Sequence, residues 1–155
     1  MEEIYRVAFF GHREVDNMRN LETRLMTVLK RIMGEHTYIE FYIGRNGEFD
    51  EIAASVIKRL KKEREMSYNI MILVLPYTVK DIEYYEDYYD EIMIPESIGK
   101  AHYKNAITLR NRWMVDVSDL VIVNVERHSG GAYTAMRYAE KQNKRIINLY
   151  ELEED

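Results

Sequence analysis

The chain of 155 residues contains no cysteine, two prolines, seven glycines and one tryptophan. Without cysteine there is no disulfide framework and no thiolate metal site. No apolar run approaches the ~20 residues that span a bilayer, and no apolar segment of signal-peptide type opens the chain. A membrane partner is therefore not expected, and the cytoplasm is the default location. Excess basic charge is also lacking. Lys and Arg number 22 against 27 Asp and Glu, a net charge of −5. That balance argues against a nucleic-acid partner, which usually carries a basic footprint. The four histidines, His12, His36, His102 and His128, have no ligand spacing, so neither a metal nor another cofactor is expected. No Ser-His-Asp or cysteine nucleophile pattern is visible.

What is present alternates between two periods. The length suits one domain, 1–155, with a substantial core. Residues 4–10 (IYRVAFF) read as a strand ending at Gly11-His12-Arg13-Glu14. Asp16 is a candidate N-cap for a helix whose stripe is Leu21, Leu25, Val28, Leu29 and Ile32, with Gly34 just past its end. Residues 38–43 (YIEFYI) are a second strand, ending at Gly44-Arg45-Asn46-Gly47. Phe49, Ile52, Ala53, Val56, Ile57 and Leu60 then keep helical spacing, and 58–65 form a charged face. Residues 69–75 (NIMILVL) are a third strand. Residues 76–104 show no steady period, hold both prolines and carry the run YYEDYYDE. Such a long connection reads either as a lid or as a solvated acidic loop. A helix over 105–117, a strand over 120–125, a helix through Ala132, Ala135, Met136 and Ala139, and a strand over 145–149 follow, with ELEED as a frayed tail. Five strands separated by helices predict an α/β fold, a three-layer α/β/α Rossmann-like domain with a mostly parallel five-stranded sheet. Thirteen tyrosines and nine methionines are many for this length.

Residues 119–138 (DLVIVNVERHSGGAYTAMRY) carry the sharpest signal. Strand, glycine turn and helix aim unpaired backbone N–H groups and the positive end of a helix dipole at an anion. Gly130 and Gly131 let the backbone approach closely, and Thr134 adds a hydroxyl. The same pair also serves as a tight connection with no ligand, and both readings stay open. In open parallel sheets, ligands bind beyond the carboxyl ends of the strands. Gly11-His12-Arg13, Gly44-Arg45-Asn46-Gly47 and Ser129-Gly130-Gly131 would share that edge. No G-x-G-x-x-G follows the first strand, so this is not the dinucleotide fingerprint. Arg110 shares a helical stripe with Ala106, Trp113 and Val117. A guanidinium there must be paired, reach solvent or meet an anionic ligand. Asn111 faces elsewhere on that helix.

The segments GHRE, FYIGRNGEFDEIAASVIKRLKKE, LVLPY, RNRWMVDVSDLVIVNV and SGGAYTAMRYAEKQNKRIINL together resemble the YpsA-like branch of the SLOG superfamily, over residues 5–149. This group of Rossmann-type proteins is named for Smf/DprA and the LOG (lonely guy) phosphoribohydrolases. The resemblance implies a nucleotide-binding fold. It assigns Gly130, Gly131 and Thr134 to a phosphate turn, Gly44, Gly47, Glu48 and Asp50 to a second-strand element, Gly11 and His12 to the first, and Arg110 and Asn111 to an arginine-bearing helix. It also implies a homodimer, with Trp113, Met114 and Tyr138 as candidate contacts, while His12 and His128 flank the site. LOG enzymes cleave an N-glycosidic bond with an arginine and a glutamate three residues after the turn threonine. Here that position is Arg137, and Ser129 replaces the proline before the glycines. A protein that senses or sequesters a nucleotide or nucleotide-derived small molecule is therefore expected. The alternative is an N-glycosidic hydrolase or deoxyribosyltransferase-like enzyme using Glu48 and Asp50. Those two carboxylates equally suit a helix N-terminus. Single-stranded DNA binding, by analogy with DprA, is disfavoured by the negative charge and the lack of a basic, aromatic-interleaved strip.

Overall fold

A computed structural model of the chain describes residues 3–45, 47–64 and 68–152. Asn46, Glu65 and the end of the tail lie outside the described residues. Six strands, β1 (Tyr5–Gly11), β2 (Ile39–Ile43), β3 (Asn69–Val74), β4 (Glu91–Met93), β5 (Leu120–Asn124) and β6 (Arg145–Asn148), form one sheet in the order β4-β3-β2-β1-β5-β6. Every pairing is parallel. Each central strand is apolar on both faces, as a sheet covered by helices on both sides requires. In β1, Val7 and Phe9 enter one core and Ala8 and Phe10 the other.

Helices α1 (Met18–Glu35) and α2 (Glu48–Arg64) cover the first face. Helices α4 (Tyr103–Val117) and α5 (Gly131–Lys141) cover the second. The short α3 (Ile82–Glu86) lies beside β4. The cap of α1 is Asn17, whose side chain accepts from Asn20 N at 3.1 Å, rather than Asp16. At about 2 kcal/mol for each buried Leu21, Leu25 and Leu29, packing outweighs the ~1 kcal/mol of a cap, so the stripe places this helix. Gly34 is inside α1, not beyond its end.

The stretch expected to be a long aperiodic connection contains α3, a 3-10 turn at Glu96–Ile98 and the sixth strand. β4 extends β3 through the pairs Ile72–Glu91, Leu73–Ile92 and Val74–Met93. Three residues are too few to show a period, which is why five strands were predicted. Met114, a predicted dimer contact, is core at 1% exposure. Among the described residues no helix is long and apolar enough to cross a membrane.

The chain winds from β1 outward to β4, then returns to place β5 on the other side of β1. This reversal opens a crevice at the carboxyl ends of β1 and β5, where open α/β sheets hold ligands.

Candidate phosphate cavity at the sheet switch point

A cavity of about 480 Å3 occupies that crevice. It gathers Gly11 from the end of β1, His12 and Arg13 from the turn after it, Gly44 after β2, Asp50 from α2, Arg110 and Asn111 from α4, Ser129 and Gly130 before α5, and Gly131 at its start. Most residues predicted from four separate segments therefore converge on one opening. Phe10, Ile107, Arg127 and Ala132 also line it and were not predicted. Arg127 was the most legible of these, a cation in the polar turn just before the glycine pair.

The glycine turn is held open. Gly130 caps α5 at φ 91 and ψ 176, a region essentially confined to glycine, and a Cβ on either Gly130 or Gly131 would meet nothing within 4 Å. Thr134 N closes the first helical bond to the Gly130 carbonyl at 3.0 Å. The N–H groups ahead of it have no partner within the helix, and Ser129, Gly130, Gly131 and Ala132 line the opening. The Thr134 hydroxyl donates to the same Gly130 carbonyl at 2.9 Å, and Thr134 lies outside the lining.

Arg110 is 8% exposed. Its Nη1 donates to the Val74 carbonyl at 3.1 Å and its Nε to Asn111 Oδ1 at 2.9 Å. Asn111 therefore turns back to hold Arg110 and lines the cavity instead of facing away. Burial pushes the Arg110 guanidinium down from its ordinary value; Asp50 and then Tyr77 oppose this, and Arg45 adds to it. The guanidinium stays cationic. A Cβ on Gly44 would sit 3.2 Å from Asp50 Oδ2 and 3.4 Å from Arg110 Nη1, so the bare glycine lets acid and base flank one point of the wall.

Other predicted residues support the site from outside. Gly47 packs on Arg13, where a Cβ would lie 2.8 Å from the Arg13 Cα. Glu48 starts α2, its N–H donating to the Arg13 carbonyl at 2.8 Å and its carboxylate accepting from Val15 N at 3.4 Å. Neither lines the cavity. His128 is also outside, its ring stacked on Tyr133 at 5.4 Å. Arg137 is exposed and pairs with Glu140 at 3.1 Å. No group of three His, Asp or Glu among the described residues is placed to hold a metal ion.

His12 acts as a hydrogen-bond acceptor beside the turn after β5. Its Nε2 accepts from both Glu126 N and Arg127 N at 3.2 Å, so that nitrogen carries no proton. Burial lowers its pKa from 6.5, with Arg127 adding to the effect and Glu126 opposing it. The unfolded chain thus binds this proton more readily than the folded one. The stabilising contribution is complete above pH 6.5 and is lost as pH falls through the lower folded value. In an NMR titration the His12 midpoint is expected below 6.5, with the Glu126 and Arg127 amide shifts following it. An unshifted midpoint, or amides indifferent to it, would refute the hydrogen bonds of Glu126 N and Arg127 N to His12.

Four arginines ring this rim: Arg13, Arg110 and Arg127 in the lining, and Arg45 near Arg110. Arg45 also lies over the Tyr85 ring, 5.8 Å from its centroid, and Tyr84 meets Tyr85 edge-on at 5.2 Å. Tyr77 stands close enough to influence Arg110, and Tyr84 is 76% exposed. These residues come from different turns and helices, so no linear stretch of the sequence brings them together.

No family model and no curated protein matches the sequence. Among solved structures, DNA processing protein A (DprA) from Streptococcus pneumoniae is similar at a TM-score of 0.64 and 16% identity, covering 92% of this chain and 49% of that one. The Helicobacter pylori DNA processing protein A, described for its unique single-stranded DNA binding mode, is similar at a TM-score of 0.61 and 18% identity, covering 92% and 63%. The chain thus spans about half to under two thirds of the length of these neighbours. The expectation against nucleic acid is overturned, because a protein of this fold binds single-stranded DNA. Its error was to let a net charge of −5 stand for a rim where arginines collect. Both neighbours share the three-layer α/β/α Rossmann-like fold with this chain.

Proposed function

We propose that the chain binds a nucleotide or nucleotide-derived small molecule at the carboxyl rim of the sheet, as a sensor or sequestering protein of the YpsA-like branch. The observation that carries this reading is the Gly130–Gly131 turn opening into a cavity with Arg13, Arg110 and Arg127 in its walls. Backbone N–H groups at a helix N-terminus and convergent guanidinium groups together suit a phosphate. The 76–104 segment, which meets the rim through Tyr77 and Tyr85, covers the ligand in this reading. Asp50 is the cavity's carboxylate, so any N-glycosidic cleavage would fall to it rather than to Glu48. With Arg137 in place of the LOG glutamate, binding without turnover is the favoured outcome. A homodimer belongs to the same proposal, with the partly exposed Trp113 and Tyr138 as contacts; a sedimenting mass that stays monomeric as concentration rises would remove it.

A second reading, single-stranded nucleic acid tracking the rim, is favoured by the arginines of the lining, by Tyr77 and Tyr85 near Arg110 and Arg45, and by the binding described for the Helicobacter pylori neighbour. One calorimetric panel separates the readings: inorganic phosphate, nucleoside monophosphates and a short deoxyoligonucleotide, with released free base assayed in parallel. Arg127→Ala is expected to weaken phosphate and monophosphate binding about tenfold or more, the worth of a charge-assisted hydrogen bond. Arg127 is exposed, so stability should change by less than about 0.5 kcal/mol. Free base that disappears on Asp50→Asn would establish the enzyme. Binding of the oligonucleotide alone would establish the second reading. Unchanged affinity in Arg127→Ala would remove the cavity from consideration.

A further inference from the structure

The turn that carries Arg127 is held by a side chain on each flank, an amide on one and an imidazole on the other. The ladder between β1 and β5 ends at Gly11 and Asn124, so the backbone beyond it needs other partners. On the β6 side, Asn148 donates to the Val125 carbonyl at 3.0 Å and accepts from Val125 N at 3.1 Å. On the β1 side, the next two N–H groups, of Glu126 and Arg127, both donate to His12 Nε2 at 3.2 Å. His128 and Ser129 then lead straight into Gly130. Where this turn sits therefore decides how Arg127 and the glycine turn stand against the cavity they line.

The two holds differ in chemistry. The Asn148 amide does not titrate. An imidazole nitrogen offers a single lone pair, and a proton on it turns the acceptor into a donor. Nε2–H would then face two other N–H groups, so the ring or the turn must move. The imidazolium would also add a positive charge beside the cavity. For an anion these two consequences have opposite signs, and the sign of the pH dependence reports which one governs. Arg127 and Glu126 approach the ring from the turn after β5, and Arg13 lies next to it in its own turn. On the α1 side Glu14, Asp16, Arg24 and Tyr150 share an opening with it, and the Tyr150 hydroxyl donates to Glu126 Oε1 at 3.2 Å. Arg13, Arg110 and Arg127 already make the cavity wall cationic. One further charge adds little there, whereas a displaced Arg127 forfeits a charge-assisted hydrogen bond.

We propose that His12 is a positioning residue for the anion, holding the Arg127 turn against the cavity, so that protonating the ring releases the ligand instead of tightening it. The proposal rests on the phosphate reading and adds to it the residue and the proton that regulate binding. Burial and the Arg127 charge hold the His12 pKa below its ordinary value. Affinity is therefore complete in neutral solution and is lost as pH falls through that lowered value. Linkage is reciprocal, so a bound anion must lower the His12 midpoint further.

Sulfate is the probe, because it stays a dianion across this range while phosphate itself titrates. Calorimetry on the full chain from about pH 8 down to about pH 5 should show sulfate affinity falling about tenfold, the loss expected of Arg127→Ala. His12→Gln places an amide oxygen as many bonds from Cα as Nε2, an acceptor that does not titrate. Its sulfate affinity should vary clearly less over that range than the parent's and should exceed that of His12→Ala at the upper pH. Saturating sulfate should also lower the His12 midpoint in an NMR titration followed through the Glu126 and Arg127 amides, a readout that needs no variant. A midpoint raised by sulfate, an affinity that holds or rises as the ring protonates, or an equal pH slope in His12→Gln overturns the proposal. Absence of any sulfate or inorganic phosphate binding at the upper pH overturns the phosphate reading itself, and this proposal with it.

Discussion

Gly11→Ala is expected to destabilise the chain by about 1–3 kcal/mol, the cost of overpacking a filled core. A Cβ at Gly11 would lie 2.2 Å from Phe49 Cγ and 2.5 Å from its Cβ, far inside van der Waals contact. The ring cannot swing aside into water, because Phe49 is 0% exposed and anchored in the first turn of α2. Nor can the strand retreat, since Gly11 is in register with Asn124 of β5. Urea denaturation should show a lower midpoint with an unchanged slope. Phe49→Ala alone should cost about 3–5 kcal/mol by leaving a cavity. In that background Gly11→Ala should cost clearly less than in the parent, because the ring atoms it strikes are gone and only the Cβ at position 49, 2.5 Å away, remains to shift. Simple additivity of the two costs would show that the close approach is not the cause.

The same contact explains what could and could not be read in the sequence. Strands such as LVIVN and stripes such as Leu21, Leu25 and Leu29 announce themselves because burial imposes periods of 2 and 3.6. β4 has no such signature; its three residues belong to the sheet only through their pairing with β3. At the rim, topology does most of the placing, since every turn after a parallel strand must emerge on one edge. That is why Gly11, Gly44 and Gly130, distant in sequence, line one cavity. What a glycine is for cannot be read the same way. Gly11 and Gly47 leave room for Phe49 and Arg13, and Gly130 for an unusual φ. Identical letters answer three different steric demands. Side-chain direction was the other blind spot. Asn111 seemed to face away from the Arg110 stripe, but it bonds back to Arg110 Nε. Charge misled for a related reason: a sum over the chain has no location, whereas Arg13, Arg110 and Arg127 share one.

Gly131→Val should abolish binding of phosphate-bearing ligands while the fold survives, and Gly130→Ala should do nearly the reverse. At Gly131 an added Cβ meets no atom within 4 Å, and its φ is not in the positive region. Valine there also avoids the backbone entropy that glycine carries in a helix, so melting temperature should hold or rise slightly. The space it fills is the space a phosphate needs to reach the N–H groups of the first turn. Losing two such charge-assisted bonds, at about 1.5–3 kcal/mol each, is a reduction of a hundredfold or more. At Gly130 there is equal room, but φ 91 with ψ 176 lies where side chains are strained by about 1–3 kcal/mol. Alanine should therefore lower stability or reshape the turn, with its effect on affinity following from that change. Calorimetry with inorganic phosphate beside a thermal melt separates the two. If Gly131→Val binds phosphate as the parent does, the amides of α5 are not the cradle, and the arginines of the rim hold their anion without them.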